Sequence, residues 1–142
     1  MNRAFSPARQ TLLTSVALLL LRLVAGLAFV LHGWGKIQHP FDWMGPESSM
    51  PAVFQLLAAV AEFGGGIAWM LGLLTPLASL GLLCTMVVAF WFHAFERGDP
   101  FVPAGPGPSY ELAAVYLAVS VLFLLGGPGL FSADRMVFGP RD

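Results

Sequence analysis

The stretch LLTSVALLLLRLVAGLAFVL, residues 12–31, decides how the chain is read. About twenty apolar residues, at 1.5 Å of rise each, cover the hydrocarbon thickness of a bilayer, so this is a membrane helix. Arg22 sits near its middle. A charge at that depth costs about 3 kcal/mol or more on insertion scales, so it must face protein or trapped water and have a partner. The comparable opposite charge is Glu62, halfway along the next apolar segment. Consecutive helices run antiparallel, and counting from the loop-side ends of the two segments places Arg22 and Glu62 at matched depth, about 15 Å down. The expectation is a buried Arg22–Glu62 ion pair that fixes helix register, or that serves a quinone, proton or substrate site at mid-membrane.

The rest of the 142-residue chain agrees with the membrane class: 57% of residues are hydrophobic and 11% charged, and the mean hydropathy is +0.76, far above an ordinary soluble domain of this size. A net charge of −1 with no basic tract argues against a nucleic-acid partner. The single cysteine, Cys84, rules out an intrachain disulfide or a thiolate cluster, so any redox chemistry would need a bound cofactor. Arg3 and Arg9 ahead of the leucine-rich run imitate a signal sequence. Arg22 and further apolar residues follow without a small-residue cleavage site, so the segment is expected to be retained.

Apolar segments span residues 11–31, 51–74, 76–95 and 110–126, with an interfacial tail at 130–138. Without water to satisfy the backbone, such segments must be helical. The expected fold is an all-α integral membrane four-helix bundle in one domain, with both termini on the same side. Small residues at helical spacing, such as Gly26 and Gly33 on the first segment and Ala59 and Gly66 on the second, favour close approach of helices. A tight turn at Leu74-Thr75-Pro76 contrasts with the two longer connections on the opposite side, rich in Gly and Pro. Arg3, Arg9, Arg135 and Arg141 flank the terminal side and Lys36 and Arg97 the loop side, which places the termini in the cytoplasm. Both segments that end on the loop side close on a histidine, His32 and His93, a weak echo of internal duplication.

Polar residues gather at the loop side: His32, His93, Glu96 and Glu111 at the helix ends, with Lys36, His39, Asp42, Glu47, Arg97 and Asp99 in the loops. Two imidazoles at similar depth suit haem or, with the glutamates, a divalent metal, but the spacing specifies neither. A polar mouth for a quinone headgroup or another small polar molecule, its tail among Phe29, Trp34, Phe90 and Trp91, is the favoured functional reading. The competing reading makes the nearby aromatics an interfacial belt, which is preferred for Trp34 and Trp43, and lets Lys36 snorkel to headgroups. Glu111 is also explained by the dipole of the helix it begins. Gly33-Trp34-Gly35-Lys36 lacks the strand and further glycine of a phosphate loop.

Taken together, Arg22 with Gly26-Leu27-Ala28-Phe29, His32-Gly33 with Lys36, Ala61-Glu62-Phe63-Gly64-Gly65, Leu71-Gly72-Leu73-Leu74-Thr75-Pro76, His93, Tyr110-Glu111 and the closing Gly127-Pro128-Gly129-Leu130-Phe131-Ser132-Ala133-Asp134 resemble the DoxX family over nearly the whole chain. The resemblance implies a four-helix bundle in the bacterial inner membrane. Some members are associated with thiosulfate:quinone oxidoreductase or with membrane oxidoreductase complexes of oxidative stress. Leu130 stands where the family often has a basic residue. The function expected on this basis is a subunit of a quinone-linked redox assembly, in contact with lipid and with other protein subunits, or as a homo-oligomer. The alternatives are a non-catalytic scaffold of a larger respiratory or photosynthetic complex and a small-molecule carrier.

Overall fold

The structure is a computed structural model that describes residues 10–139; the basic residues Arg3, Arg9 and Arg141 of the orientation argument lie outside that range. It is all-helical: α1 Leu12–Gln38, α2 Ala52–Leu71, α3 Thr75–Trp91, α4 Glu111–Gly126 and a short α5 Ala133–Phe138. Past Trp91, α3 continues as one widened turn, Phe92–Glu96, in which the Arg97 N–H reaches back to the Phe92 carbonyl at 2.9 Å. The first helix, the second, and the third with its widened turn are long and apolar enough to cross a membrane; the 16-residue α4 is shorter.

The four long helices form an up-and-down bundle in which α1 packs on α2, α2 on α3 and α3 on α4, and Phe29 of α1 meets Tyr116 of α4 with ring centroids 4.7 Å apart. The centre is aromatic. Trp69 stands edge-on to Phe29 at 5.5 Å and to Phe123 at 4.8 Å, and its indole N–H donates to Ser79 Oγ at 2.9 Å, so the buried ring keeps no unpaired donor. Leucines and valines such as Leu20, Val24, Leu57, Leu77 and Leu125 point outward. On a soluble protein that surface would aggregate; in lipid it is the expected solvent face.

Glycine sets how closely α1 and α2 approach. A Cβ at Gly26 would lie 2.7 Å from the Gly66 carbonyl oxygen, and one at Gly33 would lie 2.5 Å from the Phe63 backbone nitrogen. Backbone atoms cannot step aside, so these positions hold the helix axes together through dispersion contacts along the crossing.

At the terminal side, α2 stops at Gly72 (φ 65°) and Leu74 also adopts a left-handed conformation (φ 48°), which turns the chain sharply into α3 with Pro76 in its first turn. The C-terminal segment folds against this turn. Asp134 N–H donates to Gly72 O at 2.8 Å, and Leu130 N–H donates to Ser15 Oγ at 3.1 Å. Gln10 also reaches Gly126 O from the start of the described chain, so both described ends meet at one end of the bundle. The tail expected at 130–138 therefore carries a helix pinned to the protein through a fully buried Asp134, while Met136 and Val137 are exposed.

Candidate functional site

The first helix decides where the polar residues fall. It does not stop near Leu31: the chain continues helical through Gly33 and Gly35 to Gln38. Interior glycine weakens a helix but does not end it when the neighbours supply packing, and Gly33 is buried against Phe63. Two extra turns carry Lys36 on the helix instead of in a loop.

That extension overturns the expected Arg22–Glu62 pair. Arg22 lies 16 residues from the loop-side end of α1, about 24 Å, whereas Glu62 lies 10 residues from the loop-side end of α2, about 15 Å. The two charges sit at different depths and have different partners. Glu62 pairs with Lys36, whose Nζ donates to Oε1 at 2.6 Å and to Oε2 at 2.7 Å. The lysine turns inward to this carboxylate rather than outward to headgroups.

Arg22 belongs to the opposite end. Its Nη1 donates to Pro128 O at 3.0 Å and its Nη2 to Phe131 O at 2.7 Å. Its Nε is buried with no hydrogen-bond partner among the described residues. The nearby opposite charge is Asp134, which makes no direct ion pair with the guanidinium and instead accepts the N–H groups of Leu74 at 2.6 Å and Thr75 at 2.8 Å. A carboxylate here complements the positive end of the α3 dipole and satisfies two of its unpaired donors. This centre is closed and fully bonded at the carboxylate; it ties α1, the α2–α3 turn and the C-terminal segment together.

At the loop side a cleft of about 450 Å³ is lined by His32, Gly35, Lys36, His39, Asp42, Trp43 and Gly45. The face of α1 carrying His32, Gly35 and Lys36 forms one wall, because the spacing i, i+3, i+4 aligns them, and His39 adds to it as the residue that caps the helix. A chain of turns forms the other: Asp42 N–H donates to His39 O and Gly45 N–H to Asp42 O. This loop is held by Gln55, a buried residue of α2 that does not line the cleft. Its side chain accepts the Met44 N–H at 3.1 Å and donates to Met50 O at 3.0 Å, while its carbonyl accepts the Trp43 indole N–H at 2.9 Å. Trp43 is thereby a clamped wall residue, and Lys36 Nζ lies 4.4 Å from its ring centre, within cation–π range. Salt bridge, indole and cleft form one unit.

His93, Glu96 and Glu111 do not line this cleft. His93 Nδ1 lies 2.7 Å from Asp99 Oδ2, and Arg97 Nε reaches the same oxygen at 3.2 Å. The widened turn at the end of α3 is thus anchored to its following loop. Glu96 and Glu111 are exposed. Among the described residues no three His, Cys, Asp or Glu side chains converge as a metal site would require. Of the residues singled out in the sequence, His32, Lys36 and Glu62 come together, while Arg22 and His93 join other clusters. Gln55 and Asp134 organise the two ends without having stood out. Ser132 two residues before Asp134 marks a helix start, and a buried acidic residue beside it was the available signal for the latter.

Comparison with known proteins places the chain among small membrane proteins. The chain is 32% identical over 132 residues to Inner membrane protein YqjF of Escherichia coli (strain K12), covering 88% of this chain and 95% of that one. It is 32% identical over 127 residues to the uncharacterized membrane protein Rv3486 of Mycobacterium tuberculosis, covering 81% and 77% respectively. No solved structure matches. The DoxX family model matches residues 17–94, a span that holds Arg22, Lys36 and Glu62 and runs through α1, α2 and α3. With that match and the helical bundle described above, this chain belongs to the DoxX family of membrane proteins.

Proposed function

We propose that this chain is an inner-membrane subunit of a quinone-linked redox assembly, and that the cleft at the end of α1 is where it meets the quinone. The observation that carries the reading is the cleft itself. It is of a size typical for small-molecule sites, it opens at the loop-side end of the bundle, and it is backed by the ion pair of half-buried Lys36 with buried Glu62. A bound quinone would supply the electron and proton chemistry that these side chains lack. The chain's own part is to bind and orient the headgroup, with His32 and His39 as hydrogen-bonding groups. Glu62, held by Lys36, keeps the lysine in place. The name of the Escherichia coli relative, an inner membrane protein, supports the inner membrane as the compartment, and the excess of arginine at the terminal side supports cytoplasmic termini.

A second reading, a non-catalytic scaffold subunit, draws on the exposed Trp91, Phe95 and Phe101 near the other loop-side helix end, which lipid or a partner subunit would cover. Gentle detergent extraction followed by mass spectrometry of the associated lipid-like molecules and proteins separates the two. The quinone reading expects quinone at about one per chain. Co-migration with a large complex and no quinone above the level of the bulk lipid would overturn it in favour of the scaffold.

A further inference from the structure

Three glycines lie in α1, and two of them have a packing reason. A Cβ at Gly26 or Gly33 would run into the backbone of α2, but a Cβ at Gly35 would meet nothing within 4 Å. Gly35 also has ordinary helical geometry, with no positive φ that would call for glycine. A glycine inside a helix weakens it relative to alanine. Its bare backbone at this point has one visible consequence: it forms part of the cleft wall.

The two imidazoles on either side share a second property. His32, in the last turns of α1, and His39, the residue that caps its end, stand on either side of Gly35 in the cleft wall; both are exposed, and neither side chain has a hydrogen-bond partner among the described residues. This contrasts with His93, which is engaged by Asp99. Each neutral imidazole offers one N–H donor. The charges decide what those donors face. Lys36 is neutralised by both oxygens of Glu62, and Asp42 adds a carboxylate to the opposite wall. The cleft therefore has no uncompensated positive charge with which to attract an anion.

We propose that His32, Gly35 and His39 form the seat for a neutral, flat ring bearing acceptor oxygens at opposite edges. The ring lies against the bare helix backbone at Gly35, the imidazoles donate to the two oxygens, and the Trp43 indole walls the other side. This rests on the quinone reading above and assigns the headgroup a place and an orientation.

The test uses the full-length protein in lipid nanodiscs and a short-tailed benzoquinone, decylubiquinone, as probe, with quenching of tryptophan fluorescence as the readout. Gly35→Leu puts a side chain into the seat from a Cβ that has open space around it and raises the half-quenching concentration at least tenfold. The double variant His32→Ala/His39→Ala does the same by removing the donors. Gly64→Leu is the control: its Cβ also meets nothing within 4 Å, and it lies outside the cleft, so binding is unchanged. Size-exclusion profile and helical circular dichroism of all three variants match wild type. If wild type binds and both cleft variants bind equally well, the seat is elsewhere and only this inference falls. If wild type shows no saturable quenching, the quinone reading falls with it.

Discussion

Asp134 caps the helix that starts at Thr75: its Oδ2 accepts the Thr75 backbone N–H at 2.8 Å across 59 positions of sequence, and its Oδ1 accepts that of Leu74 at 2.6 Å. Helix caps are ordinarily local. Here the cap comes from the end of the chain, because a left-handed Leu74 aims both N–H groups out of the turn and the C-terminal segment lies across them.

Asp134→Ala is expected to lower stability in detergent by about 2 kcal/mol, since it removes the cap and leaves the N–H groups of Leu74 and Thr75 without their acceptor. Asp134→Asn, which keeps one acceptor, should fall between this variant and wild type. Thermal unfolding followed by circular dichroism checks the order; equal midpoints for all three would refute the cap.

Charge exchange distinguishes the pairing seen here from the one the sequence suggested. Lys36→Leu or Glu62→Leu alone should reduce the amount of folded protein, each leaving one charge of a largely buried pair behind, at a cost of about 3 kcal/mol. Lys36→Glu with Glu62→Lys should recover much of the loss. Arg22→Glu with Glu62→Arg should recover none, because it breaks two separate centres. Monodisperse yield after extraction gives the comparison.

Alanine at Gly33 should cost about 3 kcal/mol, because its Cβ would press on the Phe63 backbone and force α1 and α2 apart. Alanine at Gly64, where space is open, should be neutral or stabilising by up to about 1 kcal/mol. The contrast in unfolding midpoint between these two helical glycines measures how far the crossing depends on backbone approach.

Gln55→Leu should free the cleft wall. The loop loses both side-chain hydrogen bonds of Gln55, so Trp43 becomes more exposed and its emission shifts to the red, and decylubiquinone quenching weakens. The readout is the difference in emission between chains with Trp43 and with Trp43→Phe, which isolates one of the four tryptophans and leaves the core Trp69 in place. An unshifted spectrum would show that the loop holds itself.

Hydropathy and helical spacing made the bundle legible: the apolar runs, the turn before Pro76 and the small residues that face one another all carry side-chain signals. The partners of the buried charges were not, for two physical reasons. Gly33 and Gly35 look like a helix end, yet α1 runs through them, so depths counted from Leu31 misplaced Arg22 relative to Glu62. In addition, Arg22 is held by the carbonyls of Pro128 and Phe131, and a carbonyl belongs to every residue and marks none. His32 and Lys36 were visible as loop-side polar residues; that Trp43 joins them depends on Gln55, whose hydrogen bonds to a loop have no sequence signature.

The order of synthesis gives the Arg22 centre a further meaning. The ribosome delivers the first helix with its guanidinium more than a hundred residues before the carbonyls at 128 and 131 that will receive it. Until then the arginine must wait at the translocon or draw on water and lipid phosphate. Chains cut short ahead of Pro128 would keep that charge unsheltered, and membrane proteases would have a feature by which to tell an unfinished product from a complete one.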